Sequence, residues 1–199
     1  MITRLKLSTI EQGLPKYRSM LAGNAAYSPY AFESIASATG TGSSNTITFS
    51  SIPSTYQSLQ IRAIARNTVS SGNAISSFNI QLNNDSTLAN YTTHGLYGNG
   101  TTASAYGVTS SYTSGAMALN GVAADTMAVN IIDIQDYAST TRNKTIRSLK
   151  GGDTNGGGNV ELASGLYIST SAITSISFIA SANSFATSTT FALYGIKGA

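Results

Sequence analysis

The chain has 199 residues, enough for one domain with a substantial core but not comfortably for two. Only 10% of the residues are charged, against ~25% in ordinary soluble domains, and this low charge favours a protein that lives in an assembly. The absence of cysteine excludes disulfides, thiolate metal sites and cysteine nucleophiles. No apolar run is long enough for a signal peptide or a membrane span, so we expect production in the cytoplasm of the producing cell and no membrane insertion.

Charge is unevenly distributed along the chain. Residues 1–24 contain four basic residues and one acidic residue, Glu11, whereas residues 25–199 contain seven of each sign. A basic segment next to a neutral body suits attachment to another molecule. We therefore expect residues 1–30 to form a docking arm and hinge, and residues 31–199 to form the body.

The arm contains two short candidate helices that Gly13, Pro15 and Gly23 interrupt. Isolated helices this short are marginal, so we expect the arm to become ordered against a partner. The residues predicted to dock by charge are Arg4, Lys6, Lys16 and Arg18, and those predicted to anchor through apolar contacts are Leu5, Leu7, Ile10, Leu14 and Leu21. Four cations with the single aromatic Tyr17 make a weak nucleic-acid signature, so an acidic protein surface is the expected counterpart.

The body shows short strands separated by Gly-, Asn- and Asp-rich turns. This pattern predicts an all-β fold, an antiparallel jelly-roll-like β-sandwich, and the segment 127–134 is apolar enough to be central to its core. The predicted strands are 33–39, 45–49, 58–65, 75–82, 91–97, 103–112, 115–119, 126–134, 144–149, 159–167, 173–180 and 190–196.

The glycine-rich segment 151–159 has two interpretations. Asp153, Asn155 and nearby carbonyls have the oxygen ligands that Ca²⁺ prefers. However, the acidic residue that would close such a site is missing at EF-hand spacing, and Gly/Asn/Asp clusters are common in turns. We therefore predict a flexible hairpin tip, with no metal and no cofactor.

Paired carboxylates raise the possibility of glycan cleavage by Asp133, Asp136 or Glu161. Tryptophan, a common lining of sugar clefts, is absent from the chain. Pairing of the two aspartates with the basic segment 142–147 is the alternative that we favour. His94 is the only histidine, which excludes a multi-histidine metal site and leaves a structural or inter-subunit hydrogen-bonding role.

Tyrosine is the most abundant aromatic residue, and three tyrosines lie near glycine-rich turns: Tyr97, Tyr106 and Tyr112. Tyrosine combines apolar area with a polar tip and is favoured at interfaces. These residues, with Asp153 and Asn155, are candidates for recognition of a protein or of a cell-surface glycan. The alternative, that they are residues at the edge of the core, stays open.

Several segments resemble a group of small virion structural proteins of tailed bacteriophages. The most specific are ITFSSIPSTY at 47–56 and FALYGIKG at 191–198, with further similarity at 30–36, 59–62, 96–100 and 145–149. The resemblance implies a virion component with a β-sandwich body. It carries no catalytic residues, and similar domains occur at the ends of tail fibres.

The sequence and this resemblance together predict a non-enzymatic protein on the virion surface. A capsid decoration (cement) protein that docks on the major capsid protein or another virion protein fits best, because the chain has no fibre shaft. The alternatives are a tail-fibre or receptor-binding head and, third, a virion-associated glycan-degrading enzyme. A homotrimer is expected from the resemblance and from symmetry rather than from particular residues.

Overall fold

The structure, a computed structural model, describes residues 32–70 and 74–197. The predicted arm and all nine of its docking residues lie outside these ranges. The strands are β1 Phe32–Thr39, β2 Thr46–Phe49, β3 Ser58–Ala65, β4 Ile75–Leu82, β5 Tyr91–Gly98, β6 Ala103–Thr109, β7 Ser114–Ala118, β8 Ala128–Gln135, β9 Lys144–Asp153, β10 Gly158–Tyr167, β11 Ile176–Ala180 and β12 Thr190–Ile196. Each strand predicted from the sequence has a counterpart, but three ends differ by three or four residues: β6 ends at 109 rather than 112, β9 ends at 153 rather than 149, and β11 begins at 176 rather than 173.

The strands form two antiparallel sheets, which confirms the all-β prediction and is consistent with a β-sandwich. The larger sheet has eight strands in the order β1-β12-β3-β8-β9-β10-β5-β6, and the smaller sheet has the order β2-β11-β4-β7. The jelly-roll arrangement itself stays a prediction. None of the described residues belongs to a helix long and apolar enough to cross a membrane.

The core lies between the sheets and is centred on a group of phenylalanines. Phe78 on β4 and Phe178 on β11 meet Phe191 of the large sheet at ring-centroid distances of 5.2 and 4.4 Å. Alternation produces this core, because β3 turns Leu59 and Ile61 inward and leaves Gln60 between them more exposed. The contact across the two sheets therefore follows from the period-2 pattern of the sequence.

The free edge of β7 is closed by side chains of the large sheet. Asn130 on β8 accepts a hydrogen bond from the Ala116 N–H at 2.6 Å and donates to the Ala116 carbonyl at 2.9 Å. Ser148 on β9 donates to the Ser114 carbonyl at 3.1 Å. These side chains take the place of a neighbouring strand, so buried backbone groups of β7 have partners.

Two buried cations organise loops through carbonyl oxygens. The Arg66 guanidinium donates to the carbonyls of Asn120, Val122, Ala123 and Thr126 at 2.8–3.1 Å. The Lys144 ammonium faces four carbonyl oxygens at 2.6–3.3 Å, and burial lowers the pKa of Lys144. Each charge thus holds its loop in one conformation by charge-assisted hydrogen bonds.

Two predictions about the apolar and glycine-rich segments were partly wrong. The segment 151–159 is mostly strand, because β9 continues to Asp153 and β10 begins at Gly158, and only 154–157 form the turn. A Cβ on Gly151 would lie 2.4 Å from the Asn159 carbonyl oxygen, so glycine here permits close strand pairing. Segment 127–134 is central in the large sheet, but Val129 and Ile131 face away from the core and are exposed.

Candidate functional site

The outer face of the large sheet, which points away from the core, carries a continuous apolar surface. Four residues lie opposite one another on neighbouring strands: Ile131, Leu149, Leu162 and Leu96. We call the whole set the apolar outer face; its members are 38–62% exposed and are Ile64, Val129, Ile131, Leu149, Val160, Leu162 and Leu96. Side chains two residues apart on a strand share a face, which explains how residues far apart in sequence form one surface.

A second row lies beside the first and contains glycines between the aliphatic side chains. Val129, Gly151, Val160 and Gly98 are paired in register across β8, β9, β10 and β5. The small glycines leave a shallow groove of about 560 Å³ at this end of the face. The surface is therefore wide and shallow, the shape of a protein contact rather than of an enclosed pocket.

The third row of the outer face is polar and carries both charges. Gln60, Asp133, Arg147, Ser164 and His94 follow one another across β3, β8, β9, β10 and β5. Gln60 Nε2 donates to Asp133 Oδ1 at 2.9 Å, and Asp133 stands opposite Arg147 in the register. The apolar outer face is thus bordered by a polar row that contains one acidic and one basic side chain on adjacent strands.

A second feature, the polar cleft, lies on the opposite face of the large sheet. There β5, β6 and β10 form the floor and the smaller sheet's edge forms a wall, leaving a cavity of about 390 Å³. Its polar lining includes Thr93, Tyr106, Ser111, Tyr112, Lys150 and Glu161. The buried Thr93 hydroxyl at the floor has no hydrogen-bond partner among the described residues.

An ion pair dominates the electrostatics of the polar cleft. Lys150 Nζ lies 3.0 Å from Glu161 Oε1, with side chains 5% and 14% exposed, and it donates to Ser114 Oγ at 2.5 Å. Burial lowers the pKa of Lys150, and the neighbouring Glu161 acts in the opposite direction. A lysine held by a carboxylate is a poor general base, so its contact with Ser114 is better suited to structure than to nucleophilic catalysis.

Tyr106 completes this polar cluster. Its hydroxyl donates to Glu161 Oε1 at 2.5 Å, and burial, with the nearby carboxylate, raises the pKa of Tyr106 to about 12. A Cβ on Gly95 would lie 2.5 Å from the Tyr106 ring, so the missing side chain makes room for the ring on the sheet. Tyr106 is therefore a neutral donor at physiological pH.

The structure separates the recognition residues predicted from the sequence. Tyr106 and Tyr112 line the polar cleft, and Tyr97 lies opposite Glu161 in the strand register. Asp153 and Asn155 lie instead at the 154–157 turn, where Asp153 accepts a hydrogen bond from the Asn155 N–H at 2.7 Å. In the described ranges, no group of three or more acidic or histidine side chains could hold a metal ion.

The large sheet separates two of the predicted acidic residues, Asp133 and Glu161. Asp133 is on the outer face of the large sheet and Glu161 on its inner face, so these two cannot flank one glycosidic bond. Asp136 pairs with Arg142 at 2.8 Å, as the favoured alternative predicts. His94 lies on the outer face, where its ring covers Gly107.

Sequence reasoning missed the apolar outer face. The signal was present in β8 and β10, where apolar residues occupy positions of both alternations, as in Val129 to Ile132 and Val160 to Ala163. Such a run is ordinarily interpreted as a strand buried on both sides.

No protein-family model, no curated protein and no solved structure matches this chain.

Proposed function

We propose that the chain is a non-enzymatic structural protein of a tailed-phage virion surface, and that it acts as a capsid decoration protein. The observation that carries the proposal is the apolar outer face. Soluble monomers rarely expose continuous apolar patches larger than a few hundred Å² without a functional reason. Seven half-exposed aliphatic side chains on adjoining strands indicate a surface that other protein covers.

The energy available from this face fits assembly. Complete burial of an aliphatic side chain contributes roughly 1.5–3 kcal/mol, so covering one that is half exposed contributes about 1 kcal/mol. The seven side chains together contribute about 7 kcal/mol per copy. Association itself costs an estimated 4–15 kcal/mol, so such a face supports modest contacts that become strong when repeated across a shell.

The sequence adds two supports. The body is electrically neutral and poor in charge, which reduces repulsion between packed copies. The basic segment 1–24 is complementary to an acidic partner such as a capsid subunit, and the resemblance to tailed-phage virion proteins points to the same class. A homotrimer remains the stoichiometry that we propose.

One observation favours the alternative of a receptor-binding tail-fibre head. The polar cleft presents Tyr106, Tyr112 and Glu161 beside a cavity of about 390 Å³, a size and lining suited to a neutral, hydroxyl-rich ligand such as a glycan. A decoration protein has no need of such a site. The two functions therefore differ in where the chain sits on the particle.

Cryo-electron microscopy of virions that carry this chain, with quantitative mass spectrometry of its copy number, tests the proposal. Density at local symmetry axes of the head, with hundreds of copies, is the expected result. Density confined to the tail with a few to tens of copies supports the receptor-binding alternative. Absence from purified virions overturns both.

The docking arm needs its own test in the full-length chain. Reversing the charge of Arg4, Lys6, Lys16 and Arg18 to glutamate should reduce incorporation into virions, because it removes the attraction to an acidic partner. Unchanged incorporation contradicts the assignment of docking to these four residues. A variant with Lys197→Glu serves as the control for charge reversal elsewhere on the chain.

A further inference from the structure

We infer that the apolar outer face is the interface between copies of this chain. This inference deepens the proposed function. It rests on that function only in naming the virion as the particle where the copies meet, and the contact itself is argued from the face. The partner is a second copy of the same sheet, packed face to face about a two-fold axis. Such a contact pairs copies, so it would join one proposed homotrimer to the next rather than build the trimer. Three properties of the face lead to this conclusion: its area, its charge pattern and its shape.

The area of the whole outer face of the large sheet matches what one partner of a stable complex contributes; the apolar outer face occupies the five strands β3, β8, β9, β10 and β5 within it. Eight strands at about 4.8 Å spacing span about 38 Å, and three rows of outward side chains span about 20 Å. The product, about 760 Å², is close to the ~800 Å² per partner of a standard protein interface. A single peptide strand lying on the sheet would leave most of this surface uncovered.

The charge pattern is self-complementary. A two-fold interface brings one surface against itself. Opposite charges on that surface can then pair across the interface, whereas charges of one sign would repel each other. Asp133 and Arg147 are neighbours in the polar row, with uncharged Gln60 and Ser164 on either side. The other cation of this face, Arg62, lies opposite Ile131, but its guanidinium stacks on Phe32 and Tyr194 at 5.6 and 5.7 Å, on the side away from the aliphatic rows. A second copy rotated by 180° can therefore place its arginine toward the first copy's aspartate, while the aliphatic rows meet.

The shape of the face suits sheet-on-sheet packing. The outward side chains of the two central rows are aliphatic or glycine from β8 to β5, with no charged side chain among them. Two such faces can interdigitate at about 10 Å separation, as the two sheets of a sandwich do. The assembly then contains a second core, built between copies rather than within one.

The test is sedimentation velocity of the full-length chain between 1 and 100 µM, beside a variant carrying Leu149→Thr and Leu162→Thr. Threonine keeps strand propensity but removes apolar area, and in a contact between copies each substitution acts twice. We expect wild type to associate and the variant's dissociation constant to rise at least 100-fold. The matched control carries Leu88→Thr and Ile168→Thr, two side chains that are 45% exposed outside the face, against 47% for Leu149 and Leu162.

Three results would overturn the inference. They are a wild type that stays monomeric at 100 µM, an oligomer that the face variant leaves intact, and equal weakening by the control variant. If the wild type is monomeric and also fails to bind a hydrophobic dye, we would conclude that residues 1–31 of the same chain cover the face. Should the double variant not fold, Leu96→Thr with Val160→Thr replaces the two most exposed side chains of the face.

Failure here and failure of the proposed function are distinguishable. A chain that is monomeric in solution and present on phage heads would overturn the self-interface and keep the decoration role. A chain that associates through the face and is absent from virions would support the self-interface and contradict the decoration role. Circular dichroism and thermal unfolding of each variant separate loss of association from loss of fold.

Discussion

Replacing Glu161 by glutamine tests the buried ion pair of the polar cleft. The substitution preserves the size of the side chain and leaves the Lys150 ammonium in place, 5% exposed, without its counter-charge. Breaking a buried pair from one side costs about 3–5 kcal/mol because an uncompensated charge remains. Because the Tyr106 hydroxyl can still donate to the glutamine oxygen, we expect a loss at the lower end of this range. The free energy of unfolding should fall by about 3 kcal/mol, which lowers the melting temperature by roughly 6–12 °C.

The loss should depend on pH in a definite direction. Burial lowers the pKa of Lys150 below its ordinary 10.5, and Glu161 opposes that shift, so Glu161→Gln lowers the pKa of Lys150 further. Between the folded and unfolded pKa values the folded chain binds fewer protons than the unfolded chain, so stability rises with pH there. The stability of the variant relative to wild type is therefore lowest near pH 6 and rises towards pH 10.

Urea unfolding at pH 6, 7.5, 9 and 10 measures this difference. The matched control is Glu33→Gln, which makes the same substitution in the exposed Lys197–Glu33 pair at 2.7 Å and should cost less than about 1 kcal/mol. A second variant, Lys150→Met with Glu161→Leu, removes both charges and should restore stability to within about 1 kcal/mol of wild type. A cost equal to that of the control, with no dependence on pH, refutes the reasoning.

Three further substitutions have expected outcomes. Asn130→Asp cannot donate to the Ala116 carbonyl and should cost about 3 kcal/mol in urea unfolding; wild-type stability contradicts the edge-closing role. Arg66→Lys loses the planar guanidinium that spans four carbonyls and should cost about 2 kcal/mol in thermal unfolding, and no loss refutes this loop-holding role. Tyr106→Phe should remove from an absorbance titration the phenol that ionises near pH 12 and cost about 1 kcal/mol; an unchanged titration curve rules out that assignment.

The strands could be predicted because their signals are local. Both ends of two strands, Ile75–Leu82 and Thr190–Ile196, were predicted correctly from the alternation within each strand and from the turn residues that flank it. Strand ends were less certain where glycine occurs, since it permits a turn and a close strand pair alike. The continuation of β9 through Gly151 and Gly152 depends on the register with β10, which lies outside any local window.

The two candidate surfaces could not be predicted in the same way. The polar cleft joins Tyr106 to Glu161 across 55 residues of sequence, and only the sheet order brings them together. The apolar outer face needs the register of five strands before its rows become visible. An apolar strand residue on its own predicts burial without saying whether its own core or a neighbouring molecule supplies the cover.

The two edges of the large sheet differ in a way that limits how sheets can join. Edge strand β1 carries Glu33 and a bulge between Ser34 and Ala36, devices that discourage pairing with another strand. Edge strand β6, Ala103–Thr109, has no charged residue, proline or bulge, and its far side pairs with no strand that the structure describes. Joining of large sheets through their edges alone can thus occur at one end only, so edge contacts by themselves close after two copies.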